Sequence, residues 1–587
     1  MTDSRRRTAR GLTLGAALLL LATAFAPAPL LGAPSDEGGA PFIDRIEVNI
    51  VNVEVFVTTR KGENVTGLTR DDFLLTVDGK EVPITNFYAE EEDRPVYGET
   101  PPSAEIGGDG SRPEGPSPAA GPVPEEQRLR VVVFVDETAL QPLNRRRSFK
   151  HIWRFLEEGL APDDEVAVIS LSPGLQFHTE FTRDRTVVES ILRDLQKRPS
   201  LDLGTALERR KVLQEISDAG SDPASKAVSS GATLSLIRAI AASEYSIRRS
   251  GVRALTALMD TLAGVPGRKA LLHVSDGIAT NPGEDLFLAW QNRFGSTTGN
   301  YPSEVGSYDL IQDFKELAER ANASKVTFYA VDADLPALGY GKSAEYAGDP
   351  RALPSFTTEV NNLYEANKRA TLDLAASETG GRRVIANGML PRQLDRLGRD
   401  FRTFYSLGFE AAGKDTKKSH SIKVDVVKDK GKGLRVRHRA DYIRRNREER
   451  MASATLAALL YNSVDNPMEV SLDRGEGQKR DDGRIVVPVN LQIPLEKVTL
   501  LPNQGNHAAR ISLFVTVKDE RGEARPVQKV PFALDIPDEF VEQAKGDSAR
   551  YTLPLIINPG DQQVAIGIRD EIGATESTVR LELPRGL

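Results

Sequence analysis

Hydrophobic positions follow three successive rhythms along this 587-residue chain. From Ile43 to Tyr88 they recur close to every second residue, with Val51, Val53, Val55 and Val57 set among Asn52 and Glu54, a period that predicts strands. Asp78-Gly79 reads as a tight hairpin turn between Phe73–Val77 and Val82–Ile84. From Leu129 to about Tyr405 short apolar runs alternate with helical periodicity. Val131–Val135, Val166–Leu171, Ala270–Val274, Val326–Val331 and Arg383–Ala386 predict strands. Phe149–Leu160, Thr186–Leu195, Leu310–Ala321, Leu363–Thr379 and Leu390–Phe404 predict helices. Such alternation predicts βαβ units around a mostly parallel sheet. Residues 203–262 carry helical periodicity with no strand signal, so a helical insertion is expected there. Beyond Tyr405 the chain returns to short strands with turn signals such as Asp519-Glu520-Arg521-Gly522 and Asn558-Pro559-Gly560-Asp561, the pattern of a β-sandwich.

The expected fold class is therefore an α/β domain with flanking all-β modules. The boundaries read as an export signal at 1–34, a β module at 42–90, a Pro/Gly-rich linker at 91–128, the α/β domain at 129–403 with its insertion at about 203–262, further strands at 404–443, a helical connector at 444–465 and a sandwich at 466–587. The strands before and after the α/β region predict a single sandwich into which that region is inserted, because an inserted domain needs its two ends close together.

Charge and composition narrow the function. The net charge of −8 offers no dominant basic face, so nucleic acid is not expected as a partner. Arg5-Arg6-Arg7 and Arg10 precede an apolar stretch from Leu12 to Leu31, interrupted near its end by Pro27 and Pro29. This is the layout of a secretory signal, with an uncleaved anchor as the alternative. Nothing further along is long and apolar enough to span a bilayer, so the mature chain is expected in the periplasm or outside the cell, without a membrane span. Cysteine is absent, which removes disulfides, thiol catalysis and thiolate metal sites together.

Candidate chemistry gathers at two acidic turns. Val131–Val135 ends in Asp136-Glu137-Thr138, and Leu271–Val274 ends in Ser275-Asp276-Gly277. In open α/β sheets ligands collect at the carboxyl ends of strands, and both runs deliver an aspartate there. The bland alternative is that these aspartates cap the loops that follow. His273 reads as a core residue, and His151 and His178 accompany no nucleophile signature. Asp332 and Asp334 reach the same edge, either lining the crevice or capping a loop. No Gly-x-Ser-x-Gly, His-Glu-x-x-His, phosphate-loop or dinucleotide pattern occurs, so an enzyme is not expected.

The two turns resemble the metal-ion-dependent adhesion site of a von Willebrand factor type A domain. More of the chain resembles the type A-related proteins first recognised in acidobacterial genomes. The likeness is carried by Val65–Phe73 with Asp78-Gly79-Lys80, Gly267–Ala270 ahead of Val274–Gly277, Thr379-Gly380-Gly381, Phe404–Phe409, and Leu434–Arg437 through Tyr442. That resemblance implies a Rossmann-like domain holding Mg²⁺, with Mn²⁺ or Ca²⁺ as alternatives, through Asp136, Thr138, Thr205 and Asp276. Gly231-Ala232-Thr233 is the second choice for the middle threonine. Leu140 stands where the pattern has its second serine and has no oxygen to give, so a vestigial site is the competing expectation. Glu137 could compensate only if its loop turns it inward. The resemblance implies an exported, non-enzymatic protein that binds a protein partner at this face, with weak metal binding lost in Asp136→Ala. The alternative is a structural or assembly component of the envelope.

Overall fold

The computed structural model describes residues 50–91, 94–97, 128–199, 203–219, 222–295, 301–334, 357–411, 418–427 and 431–584. The expected export signal at 1–34 and most of the linker at 91–128 lie outside them. Among the described residues no helix is long and apolar enough to cross a membrane.

The α/β region is built on a six-stranded sheet. Leu129–Asp136 and Arg268–Ser275 lie side by side at its centre, flanked outward by Val326–Asp332 and Arg383–Ile385 on one side and by Glu165–Leu171 on the other. All of these pair parallel. Leu175–Phe177 folds back antiparallel as an edge strand. Leu129–Asp136 and Arg268–Ser275 are buried along their whole length, as the unbroken apolar runs require of strands covered on both faces. One face packs on the helices Pro142–Glu158, Arg185–Lys197 and Leu390–Arg402, and the other on Pro223–Leu262, Ile311–Ala323 and Thr357–Glu378. Each large side chain withdrawn from water in these two layers stabilises the fold by about 1.5–3 kcal/mol.

The insertion forms two helices, Leu203–Asp218 and the 40-residue Pro223–Leu262. The second is capped by Asp222, whose carboxylate accepts from the Ser225 amide. A helix at Glu284–Phe294, not assigned in the sequence reading, packs Leu286, Phe287, Trp290 and Phe294 against this insertion. The sequence-predicted helix over Leu363–Thr379 begins earlier, at Thr357.

Strands from both sides of the α/β region share two β-sheets. Ile50–Thr59 runs between Thr403–Glu410 and Leu434–His438, with Asn86–Glu91 beyond Thr403–Glu410. Phe73–Val77 pairs with Ser419–Val426, Val77 opposite Ile422. Phe73–Val77 also pairs with Lys80–Glu81 across a turn with positive φ at both Asp78 and Gly79, the geometry that matches strand twist in a two-residue hairpin. Val53, Val55, Phe73, Leu75, Leu407, Phe409, Ile422 and Val424 form the core between the sheets.

A second sandwich follows, built from two sheets around Val487, Leu491, Leu513, Ile566 and Ile568. The helix Arg447–Tyr461 joins it to the rest. It begins at a capping box of Asn446 and Glu449 and ends at Asn462 in the left-handed conformation. Two glycines let it approach closely on both sides. A Cβ on Gly264 would stand 2.0 Å from the Ser453 carbonyl oxygen, and one on Gly567 would stand 2.2 Å from Thr455 Oγ1.

Candidate functional site at the carboxyl edge of the sheet

In chain order the α/β strands leave the Leu129–Asp136 strand in opposite directions, so the order reverses between it and Arg268–Ser275. Such a reversal opens a crevice, because the loops from the two strands diverge to opposite faces. Asp136 ends one of these strands and Asp276 directly follows the other.

Asp136 is almost fully buried and closes its own loop. Its Oδ1 accepts from the Thr138 amide (3.1 Å) and hydroxyl (2.6 Å), and its Oδ2 accepts from Ser275 Oγ (3.2 Å). Asp276 reaches across to the start of the helix Pro142–Glu158. There its Oδ2 accepts from the Gln141 amide (2.8 Å) and from Asn144 Nδ2 (3.0 Å). Its Oδ1 is buried with no hydrogen-bond partner. Burial pushes this carboxyl up to about 7, against the opposing pull of Lys368. The two aspartates thus tie strand ends and helix together, as the loop-capping reading expects, while one buried oxygen stays unsatisfied.

Thr138 is half-buried, and its carbonyl and hydroxyl oxygens accept from Arg248 Nη1 at 2.6 and 3.2 Å. Thr205 lies in the first turn of Leu203–Asp218, half-buried, and among the described residues no hydrogen bond joins it to Asp136, Thr138 or Asp276. Thr233, the second choice, spends its hydroxyl on the Ser229 carbonyl of its own helix (2.7 Å). Leu140 is fully buried in the core beneath the edge. Glu137 does turn inward, but its Oε1 accepts from Ser170 Oγ (2.7 Å) and from Arg198 Nη1 (2.9 Å).

Four residues of the edge, Ser170, His178, Arg248 and Lys368, had no signature in sequence. His178 Nε2 lies 2.9 Å from Ser170 Oγ. Ser170 is fully buried, and its hydroxyl donates to Glu137 Oε1. The trio is a polar tie between strands; burial, then the charge of Arg198, holds the His178 ring below its ordinary pKa. Arg248 comes from the insertion and Lys368 from the helix Thr357–Glu378. Lys368 bonds Asp334, and Arg383 Nη1 donates to Asp332 Oδ2 (2.9 Å). Asp332 and Asp334 are therefore ion-paired.

A type A metal needs several hard oxygens converging on one point, with carboxylates ionised. As arranged, the four candidate residues do not make that set. Leu140 contributes no oxygen, Thr205 is not joined to the others, and Arg248 brings a fixed positive charge to Thr138. Among the described residues no group of three or more His, Asp or Glu side chains is arranged to hold a metal.

No family model matches this chain, and no curated protein matches it. Among solved structures it is similar to an aerotolerance-related membrane protein from Bacteroides fragilis, with 10% identity over 46% of this chain and 98% of that one at a TM-score of 0.24. The conserved hypothetical protein BatB from Bacteroides thetaiotaomicron shares 10% identity, covering 46% of this chain and 96% of that one at a TM-score of 0.20. Three N-terminal domains of the type V pili tip protein Mfa5 from Porphyromonas gingivalis share 11% identity over 78% and 71%, at a TM-score of 0.22. Likenesses this slight carry no functional argument. What stands is the architecture, an α/β domain on a largely parallel sheet accompanied by antiparallel β modules.

Proposed function

We propose that this chain is an exported, non-enzymatic interaction protein of the von Willebrand type A class, and that it binds a protein partner at the carboxyl edge of its parallel sheet. The observation that supports this most is the position of Asp136 and Asp276 at the reversal of strand order, the place where open α/β sheets receive ligands. The edge is also rigid. Its carboxylates are held by Ser275, Gln141, Asn144 and Arg383 rather than left to solvent, so a partner would meet a preorganised surface.

Photo-cross-linking in the native envelope tests the reading. Arg198→Glu inverts a half-exposed charge on the edge, and Arg521→Glu alters an exposed turn of the second sandwich. A partner captured by wild type and by Arg521→Glu, and lost with Arg198→Glu, supports the proposal. The converse pattern refutes it and favours a structural or assembly component of the envelope. One observation favours that second reading: Gln528–Pro537 pairs only with Asn506–Lys518 among the described strands and alternates exposed with half-buried positions, leaving an edge open to another chain.

A further inference from the structure

A cavity of about 560 Å³ lies between the amino edge of the parallel sheet and the outer face of the first β-sandwich, in the size range of small-molecule sites. We infer that it binds a small polyhydroxylated oxyanion, of the class of sugar acids and sugar phosphates. The pleat of the strands builds its floor. Tyr405, Leu407 and Phe409 belong to the sandwich core, so Phe404, Ser406 and Gly408 face outward. Ser406 stands between Glu54 and Tyr88, and Gly408 between Asn52 and Asn86, in the registers of the neighbouring strands. A Cβ on Gly408 would stand 2.8 Å from Asn86 Cβ and 2.9 Å from Asn52 Oδ1, so only glycine leaves room there. Two small residues in the middle strand thus open a recess walled by an aromatic ring and by amides. The side chains of Asn52, Asn86 and Ser406 make no hydrogen bond among the described residues, which leaves donors and acceptors for hydroxyl groups.

The opposite wall is basic. Arg268 and Arg439 are each 9% exposed and held from several sides. Arg268 Nε donates to Glu54 Oε1 (3.1 Å) and its Nη1 to the Phe401 carbonyl (2.9 Å), with the guanidinium 3.5 Å from the centre of the Phe404 ring. Its Nη2 has no hydrogen bond among the described residues. Arg439 donates to the carbonyls of Asn322 (2.9 Å) and Asn52 (2.7 Å), and neither bond brings it a carboxylate. Lys325, exposed at the mouth, adds a third cation. Glu54 is the one carboxylate among the described residues that form the cavity, and Arg268 already engages it. Burial lowers the Arg439 guanidinium to about 10, although Glu54 and Asp441 pull the other way. Burial, then the charges of Lys325 and Arg130, lowers the neighbouring Lys269 amine to about 7. Such an excess of positive charge in a recess of low dielectric favours an anion. Both arginines are ordered before any ligand arrives, so binding does not have to order them. A guanidinium suits a carboxylate or a phosphate, while Tyr88 offers a flat face to a sugar ring.

Calorimetric titration of glucuronate and of glucose 6-phosphate into the full chain tests the inference, with glucose as the neutral control and inorganic phosphate as the bare anion. At least one of the two sugar anions is expected to saturate at concentrations about tenfold or more below either control, and the tighter of the two distinguishes a carboxylate ligand from a phosphate. Lys325→Asn removes the charge at the mouth and suits the left-handed backbone there (φ +55°), so it should weaken binding by about threefold or more. Ser406→Phe fills the recess and should abolish binding in a chain that still unfolds cooperatively. No saturable binding of either sugar anion overturns the inference, as does glucose or inorganic phosphate binding equally well. Undiminished binding in Lys325→Asn, or in a folded Ser406→Phe, overturns it too, because the ligand would then sit elsewhere. Should Ser406→Phe fail to fold, Lys325→Asn decides.

Discussion

Replacing His273 by leucine should remove a built-in acid sensitivity of the α/β domain. The imidazole lies in the central strand, 1% exposed, between the rings of Phe134 and Phe328 with centroids at 5.4 and 5.2 Å. Neither ring nitrogen has a hydrogen-bond partner. Burial pushes its pKa down from 6.5 to about 4, with Asp136 pulling weakly the other way. Because the folded value lies below the unfolded one, the native state favours the neutral ring. That contribution is whole above pH 6.5 and is lost as the pH falls toward 4. Near pH 4.5 the unfolded chain protonates this ring almost fully and the folded chain only in part, a difference of about 2.5 kcal/mol. At neutral pH the leucine forfeits ring contacts of about 0.5–1.5 kcal/mol. It also removes unsatisfied buried nitrogens of about 1–3 kcal/mol, so its stability should stay within about 1–2 kcal/mol of wild type. Denaturant titration read by tryptophan fluorescence suits the question, since both tryptophans, Trp153 and Trp290, lie in the α/β region. The wild type should lose about 2.5 kcal/mol more than His273→Leu between neutral pH and about pH 4.5. Equal losses in the two proteins would refute the reasoning.

Three further outcomes follow from the packing. Arg209 is buried between two carboxylates: its Nη1 donates to both Glu244 oxygens (2.8 and 2.9 Å) and its Nη2 bonds Asp285. Arg209→Met should therefore cost about 3–5 kcal/mol, seen as raised hydrogen exchange across Leu203–Asp218. Gly264→Ala would press a methyl onto the Ser453 carbonyl and displace the connector helix, breaking the 2.7 Å hydroxyl contact of Thr261 with Tyr461; limited proteolysis near residues 444–446 should accelerate at least tenfold, a loss of roughly 1.4 kcal/mol or more. Leu140→Ser restores the hydroxyl of the type A pattern, yet it should lower stability by about 2–5 kcal/mol in denaturant melts and leave Mn²⁺ titration flat, because Arg248 remains.

Local pattern carried much of the architecture. Apolar runs closed by acidic turns marked the two central strands, because the middle of a strand covered on both faces is filled mainly by apolar side chains, His273 being the exception. Asn446 and Glu449 sit at the start of a connector that the helical period had already marked. The helix Glu284–Phe294 has little local signature, although Leu286, Phe287, Trp290 and Phe294 are all buried in one cluster. It follows Asn281-Pro282-Gly283, a turn signal, and is short enough to read as loop.

Chain order alone brought Asp136 and Asp276 to one edge, since parallel strands all end on the same side of their sheet. It could not say what faces them. Arg248 is 110 residues from Thr138, and Lys368 lies on an amphipathic helix where a lone lysine resembles any solvated one. The same holds for Ser170, His178 and Glu137, whose alliance joins three separate segments. Periodicity is a property of neighbours along the chain, and the sequence by itself determined strands, helices and the face on which two aspartates emerge. That Asp136 closes its loop on Thr138 and Ser275, and Asp276 ties to Gln141 and Asn144, depends on burial and charge between distant segments, and only the tertiary structure decided that.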